Sequence, residues 1–275
     1  KIKHMVNKNF VRMFEDSFRT NWDAEAFTDY ETKYTLTYAQ VAEQVEKLHL
    51  LFRQAGIEKN DSVSLIGRNS TNWAVAYIAT ITYGAVIVPI LHDFRPDDVH
   101  HIVKHSDSKL LFTADYIWDH LDEQELGQVR AVISLTKFKP LAVMPAQMPI
   151  IDEKTEERLP LTADMLSVET IQELFDRKFK GNFHADCIRY DYKDNEEVAS
   201  INYTSGTTGF SKGVMTTGRA LASNAEFGHL VRSDKYGTLL FRGDRMVTFL
   251  PLAHAYGCAF DFLGNSTRGG HASFI

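Results

Sequence analysis

The sequence predicts an α/β fold of mixed, largely parallel sheets sandwiched by helices. Short apolar runs alternate with segments of helical spacing. One helix start carries a complete capping signature. A loop rich in Gly, Ser and Thr follows directly on a strand near residue 204. The 275 residues are 44% hydrophobic and 24% charged, so there is apolar material for a sizeable core, which excludes a disordered or fibrous chain.

The elements follow in order. Phe10 to Trp22 reads as a helix, and a hairpin follows with its turn near Glu31-Thr32-Lys33. Thr37 caps the next helix, Gln40 completes the capping box, and Leu36 against Val41 supplies a hydrophobic staple. Tyr38, Val41, Val45, Leu48, Phe52 and Ala55 then form one apolar stripe, which Gly56 ends. Val63–Ile66, Val86–Ile90, Leu110–Thr113 and Ala131–Leu135 are short strands, with helices expected at 72–83, 96–105 and 115–125. Pro96 fits a first helical turn. Residues 69–92 carry no formal charge, but Gly84 and Pro89 interrupt them, so helix–turn–strand is preferred to a membrane span.

The stretch 137–165 holds four prolines and a charged run, and reads as a surface excursion. It divides the chain into a first lobe, 1–165, and a second lobe, 166–275. A helix near Val168–Phe179 and the strand Val198–Thr204 open the second lobe, with Ala199, Ile201 and Tyr203 expected on one face.

Composition narrows the function classes. A net charge of −6 gives no basic surface for nucleic acid. Cys187 and Cys258 make no disulfide framework and suit a reducing, cytoplasmic setting. No secretory signal follows Lys1, and a start without Met reads as processed or shortened. His100, His101 and His105 lack H-E-x-x-H spacing and read as a solvated helix face, so no metal ligand is assigned.

Residues 205–213 hold four hydroxyls, three glycines and one lysine. Glycines let backbone N–H groups converge on an anion, hydroxyls donate to phosphate oxygens, and Lys212 adds a mobile charge. The pattern reads as a triphosphate cradle. It is neither a Walker A loop, which needs Gly-Lys followed by Ser or Thr, nor the G-x-G-x-x-G dinucleotide fingerprint.

Tyr203 to Val214, read as Y-T-S-G-T-T-G-x-x-K-G-V, resembles the phosphate-loop signature of the adenylate-forming enzymes. Residues 243–257 are similar to the L-P-L-x-H-x-x-G segment of the acyl-CoA synthetase branch, here Leu250-Pro251-Leu252-Ala253-His254-Ala255-Tyr256-Gly257. The resemblance is to the large N-terminal domain of a long-chain fatty-acid–CoA ligase. It implies adenylation of a carboxylate by ATP with Mg2+, then acyl transfer to coenzyme A. It would give Thr204, Ser205, Gly206, Thr207, Thr208, Gly209 and Lys212 to the phosphates. His254 would sit by the reacting carboxylate, with Tyr256 and Gly257 shaping the acyl pocket.

Ser211 replaces the proline usual before the lysine, and Gly218 and Ala220 stand where His and Asn are usual. The Y-G-x-T-E segment, with its magnesium-associated Glu, and the T-G-D segment are not in these 275 residues, so the resemblance implies a phosphate-loop lobe, 166–275, that is incomplete at its C-terminal end. The expected function is therefore the N-terminal part of an ATP-dependent acyl-CoA synthetase, not competent alone, acting on a fatty acid and touching membranes at most peripherally. An aryl- or amino-acid activating domain and a non-catalytic nucleotide- or acyl-binding module are the alternatives.

Overall fold

The computed structural model describes residues 8–144, 150–151, 158–204, 211–233 and 243–275. The chain opens with α1 (Phe10–Thr20), where the Asn9 side chain accepts from the Arg12 N–H as N-cap. It ends two residues short of the expected Trp22, at an Asn21 whose amide nitrogen donates to the Ser17 carbonyl. The hairpin β1 (Glu25–Asp29) and β2 (Thr35–Thr37) turns through Lys33 at positive φ. In α2 (Tyr38–Gln54) both arms of the capping box form. Gln40 N–H donates to Thr37 Oγ1 at 3.3 Å and Thr37 N–H donates to Gln40 Oε1 at 2.8 Å.

Strand and helix then alternate: β3 (Ser62–Ile66), α3 (Thr71–Tyr83), β4 (Val86–Ile90), α4 (Pro96–His105), β5 (Ser108–Thr113), α5 (Asp115–Trp118) and β6 (Ala131–Ser134). The helix expected over 115–125 is only the single turn α5 and a 3₁₀ turn at Glu123–Glu125. Asp122 interrupts it. Its carboxylate takes the Gln124 N–H, and its own N–H donates to His100 Nε2 rather than back into a helix. The excursion after β6 contributes an edge strand, β7 (Pro140–Val143), and a small ribbon of β8 (Ile150–Ile151) and β9 (Arg158–Leu159). Pro140 is tolerated because β7 has no further strand beyond it to bond. After α6 (Val168–Phe179), β10 (Val198–Thr204) and β11 (Lys212–Thr217) lead into α7 (Gly218–Ser233). The chain closes through β12 (Arg245–Thr248), a π-helix at Gly257–Leu263, the short α8 (Gly264–Ser266) and β13 (His271–Phe274).

Seven strands form one sheet in the order β11-β10-β4-β3-β5-β6-β7, parallel except at its two edges. Four form a second, β12-β13-β1-β2, in which β13 runs parallel to both neighbours. Both sheets take strands from each side of residue 165, so the two halves of the chain interleave. Helix α3 lies at the centre: Trp73 and Tyr77 stack at 5.4 Å, and both meet Phe262, which in turn meets Phe27 of β1. Among the described residues no helix is long and apolar enough to cross a membrane, and α3 spans only Thr71–Tyr83 before Gly84 caps it in the left-handed conformation.

The single face expected on β10 is divided. Ala199 packs in the main core with α3, whereas Ile201 and Tyr203 pack in the second core with α4. A β-bulge between Val198 and Ser200 sets two residues of β10 against one of β11 and turns the rest of the strand over.

Candidate active site

The large sheet delivers the first part of the site. Parallel strands present their C-terminal ends on one edge, and β10 ends there at Thr204. Thr204 and Lys212 are register partners, both exposed, and they flank the mouth of the predicted loop. Ser205, Gly206, Thr207, Thr208 and Gly209 lie outside the described residues. Among the described residues Lys212 makes no ion pair, and its side chain is exposed. Ser211 precedes it, and α7 begins at Gly218 without the His and Asn of the usual pattern. Its first N–H groups are taken instead by the Glu197 and Asn195 carbonyls and the Thr217 hydroxyl.

The second part is the turn after β12. Asn69, just past β3, clamps it with both ends of its amide: Nδ2 donates to the Leu250 carbonyl at 2.8 Å and Oδ1 accepts from Leu252 N–H at 2.9 Å. Leu252 is buried, and His254 and Tyr256 face outward. The Tyr256 N–H donates to His254 Nδ1 at 3.3 Å, so a neutral imidazole carries its proton on Nε2. Gly257 is buried, and a Cβ there would lie 2.6 Å from the Pro251 carbonyl oxygen. Only glycine lets the turn close onto the π-helix.

The two parts are joined through α3. The Cys258 thiol donates to Tyr77 Oη at 3.3 Å, and Tyr77 also meets the Ser200 hydroxyl of β10. Burial pushes Cys258 up to about 12, so it is an inert thiol, and pushes Tyr77 up as well. Among the described residues no hydrogen bond joins Lys212 to His254. Tyr256 and Phe260 meet at 4.8 Å in a tilted pair, with Phe227 of α7 at 6.4 Å from Phe260, so an aromatic cluster forms in the segment that follows His254.

Asn69 and Tyr77 cannot be picked out from the sequence, because nothing in their local spacing marks them; they act across the fold. Strong pKa perturbation marks other places. Burial lowers Lys193 to about 8, but its ammonium donates to the Val198 and Gly84 carbonyls, at the opposite edge of the sheet from Lys212. A cavity of about 850 Å³ between α2, α6 and the β6–β7 turn, floored by Leu48, Leu51, Phe138 and Ile171, touches none of the predicted site residues. Size alone therefore does not locate the chemistry, and the motif residues carry more weight. Among the described residues no group of three or more His, Cys, Asp or Glu converges to hold a metal.

Comparison with known proteins decides the family. The model of the AMP-binding enzymes matches residues 14–275. The chain belongs to the AMP-binding enzyme family. It is 25% identical over 274 residues to YngI of Bacillus subtilis, covering 94% of this chain and 45% of that protein. It is 27% identical to the peroxisomal long chain acyl-CoA synthetase 7 of Arabidopsis thaliana, covering 83% of this chain and 29% of that one. The chain thus spans less than half the length of these relatives.

In fold, this AMP-binding chain is similar to the N-terminal domain of FACL13 from Mycobacterium tuberculosis. The TM-score is 0.70 at 21% identity, over 98% of this chain and 57% of that one. A luciferase from Phrixothrix hirtus gives a TM-score of 0.72 at 18% identity, over 97% and 46% respectively.

Proposed function

We propose that this chain is the N-terminal part of an ATP-dependent acyl-CoA synthetase that activates a fatty acid. The observation that carries the reading is Lys212, exposed and opposite Thr204 at the mouth of a Gly/Ser/Thr loop that leaves the C-terminal end of a parallel strand. Two anions must meet in the first step, because a carboxylate oxygen attacks the α-phosphorus of ATP. The acyl–O–P bond forms, the bond to the bridging oxygen breaks, and pyrophosphate leaves. Lys212 with the hydroxyls and N–H groups of residues 204–209 would neutralise and orient the β- and γ-phosphates. His254, with its proton on Nε2, would donate beside the reacting carboxylate, while Tyr256 and Gly257 shape the acyl pocket. In the second step the thiol of coenzyme A displaces AMP to give the thioester.

Fatty-acid preference is supported by the aromatic cluster of Tyr256, Phe260 and Phe227 in the segment after His254, and by relatives named for long-chain acyl substrates. Mg2+ supplies charge neutralisation on the triphosphate when bound. No ligand for it is assigned within these residues. A cytoplasmic location goes with two free cysteines.

ATP–pyrophosphate exchange tests the reading. The natural protein that carries this chain should exchange pyrophosphate in the presence of a fatty acid, whereas the 275-residue chain alone should not. Lys212→Ala in the natural protein should raise KM for ATP about tenfold or more, the cost of one charge-assisted contact, with folding retained. Exchange at the wild-type rate would remove Lys212 from the phosphate site. Nucleotide binding without exchange for any carboxylate would favour a binding module, and exchange with aryl or amino acids only would move the substrate class.

A further inference from the structure

The root of the phosphate loop is tied to a residue that none of the motifs includes. His105 is the last residue of α4, and its Nδ1 lies 2.7 Å from Tyr203 Oη. The two rings meet edge to face at 87°, with centroids 5.7 Å apart. Tyr203 is buried in the second core beside Val99, Ile102 and Val103 of the same helix. It faces α4 only because the bulge at the start of β10 has turned the strand over.

Burial pushes the Tyr203 phenol up, so it remains a neutral hydroxyl. With the imidazole proton on Nε2, that hydroxyl donates to Nδ1. The same ring reaches across the hairpin. Tyr203 pairs with Gly213, where a Cβ would lie 3.0 Å from Tyr203 Cζ and 3.3 Å from its Oη. One aromatic ring thus covers the glycine opposite and anchors to α4 through its far end. The next pair outward is Thr204 with Lys212, the two residues that flank the loop.

We infer that His105 is a positioning residue for the phosphate loop: by holding Tyr203 it fixes the Tyr203–Gly213 pair, and through that pair the separation of Thr204 and Lys212 at the loop's mouth. The inference rests on the reading of this loop as the triphosphate site. A ring at position 203 would fill the core without its hydroxyl. What the hydroxyl adds is direction, since the hydrogen bond sets how far along and how deep the ring sits, whereas packing alone permits sliding. His105 is exposed, as a solvated helix face requires, and from there its Nδ1 meets Tyr203.

The test uses the natural protein that carries this chain, with ATP–pyrophosphate exchange read separately against ATP and fatty acid. Tyr203→Phe and His105→Leu should each raise KM for ATP about five- to tenfold, the scale of one lost hydrogen bond. KM for the acid should be unchanged, and Tm within a few degrees of wild type. His105→Gln, which restores an acceptor, should recover most of the loss. The double variant should be no worse than either single one, because both remove the same contact.

Tyr203→Phe keeps the ring in place, so it tests the contact even if His105→Leu folds poorly. An unchanged KM for ATP in Tyr203→Phe, an equal rise in KM for the acid, or additive losses would each overturn the inference. Lys212→Ala separates the two readings. If it raises KM for ATP while the Tyr203 and His105 variants do not, only the positioning role fails. If it has no effect, the phosphate-site reading fails and takes the inference with it.

Discussion

His49 is enclosed between α2 and α3, with Nε2 3.1 Å from the Ala79 carbonyl and 3.0 Å from the Thr82 hydroxyl. Burial lowers it to about 4, against the pull of the nearby Glu46 carboxylate. An unfolded chain protonates this imidazole near pH 6.5, whereas the folded one does so only near 4. The unfolded state therefore binds the extra proton between those values. The His49 contribution to stability is complete above pH 6.5 and declines as the pH falls toward 4, by up to about 3 kcal/mol. Urea unfolding at about pH 7, 5.5 and 4 should show that decline in the wild type and a shallower one in His49→Gln. Parallel curves for the two proteins would count against it. The spacing of α2 marks the stripe that His49 borders, but not that Thr82 and Ala79 of another helix would enclose it.

At the scale of elements, α2 is the part of the fold most fully written in the chain. Thr37, Gln40 and the stripe from Tyr38 to Phe52 each act within a few residues of one another, so local chemistry settles where the helix begins and which face is buried. Thr37→Ala should cost about 1 kcal/mol; a thermal melt with no shift would mean that the tertiary contacts of α2 override its cap. The same legibility fails where a distant group competes. Over 115–125 the apolar spacing is adequate for a helix, yet His100 on α4 takes the Asp122 N–H and the helix stops after Trp118. On β10 the alternation of Ala199, Ile201 and Tyr203 reads as one face, and a bulge set by the pairing with β11 divides it between two cores. For the candidate site, the loop and the Leu250–Gly257 turn are visible as motifs. The Asn69 clamp and the Tyr77 bridge are not, because both depend on residues brought together only by the sheet.

At the scale of the whole molecule, the interleaved sheets predict that the chain unfolds as one cooperative unit. Residues 1–165 lack β10, β11, β12 and β13, and residues 166–275 lack the five strands β3–β7 on which β10 and β11 lie. Expressed separately, each piece should leave the faces of α3 or of β10 uncovered and show no sharp thermal transition. Mixing the two should restore one. A cooperative melt from residues 1–165 alone would show that the large sheet is self-sufficient.

The pairing of β1 with β13 also has a consequence during synthesis. Phe27 lies beside Ala272, so about 245 residues must be made before the first strand of the small sheet meets its parallel partner. At about 5–20 residues per second that is roughly 10–50 seconds on the ribosome. Throughout that interval one edge of the β1–β2 hairpin has no strand beside it, with Ala26, Phe27 and Leu36 ready to be covered. The nascent β1–β2 hairpin should therefore benefit from a holding chaperone, and yield should depend on elongation speed more than the stability of the finished protein would suggest.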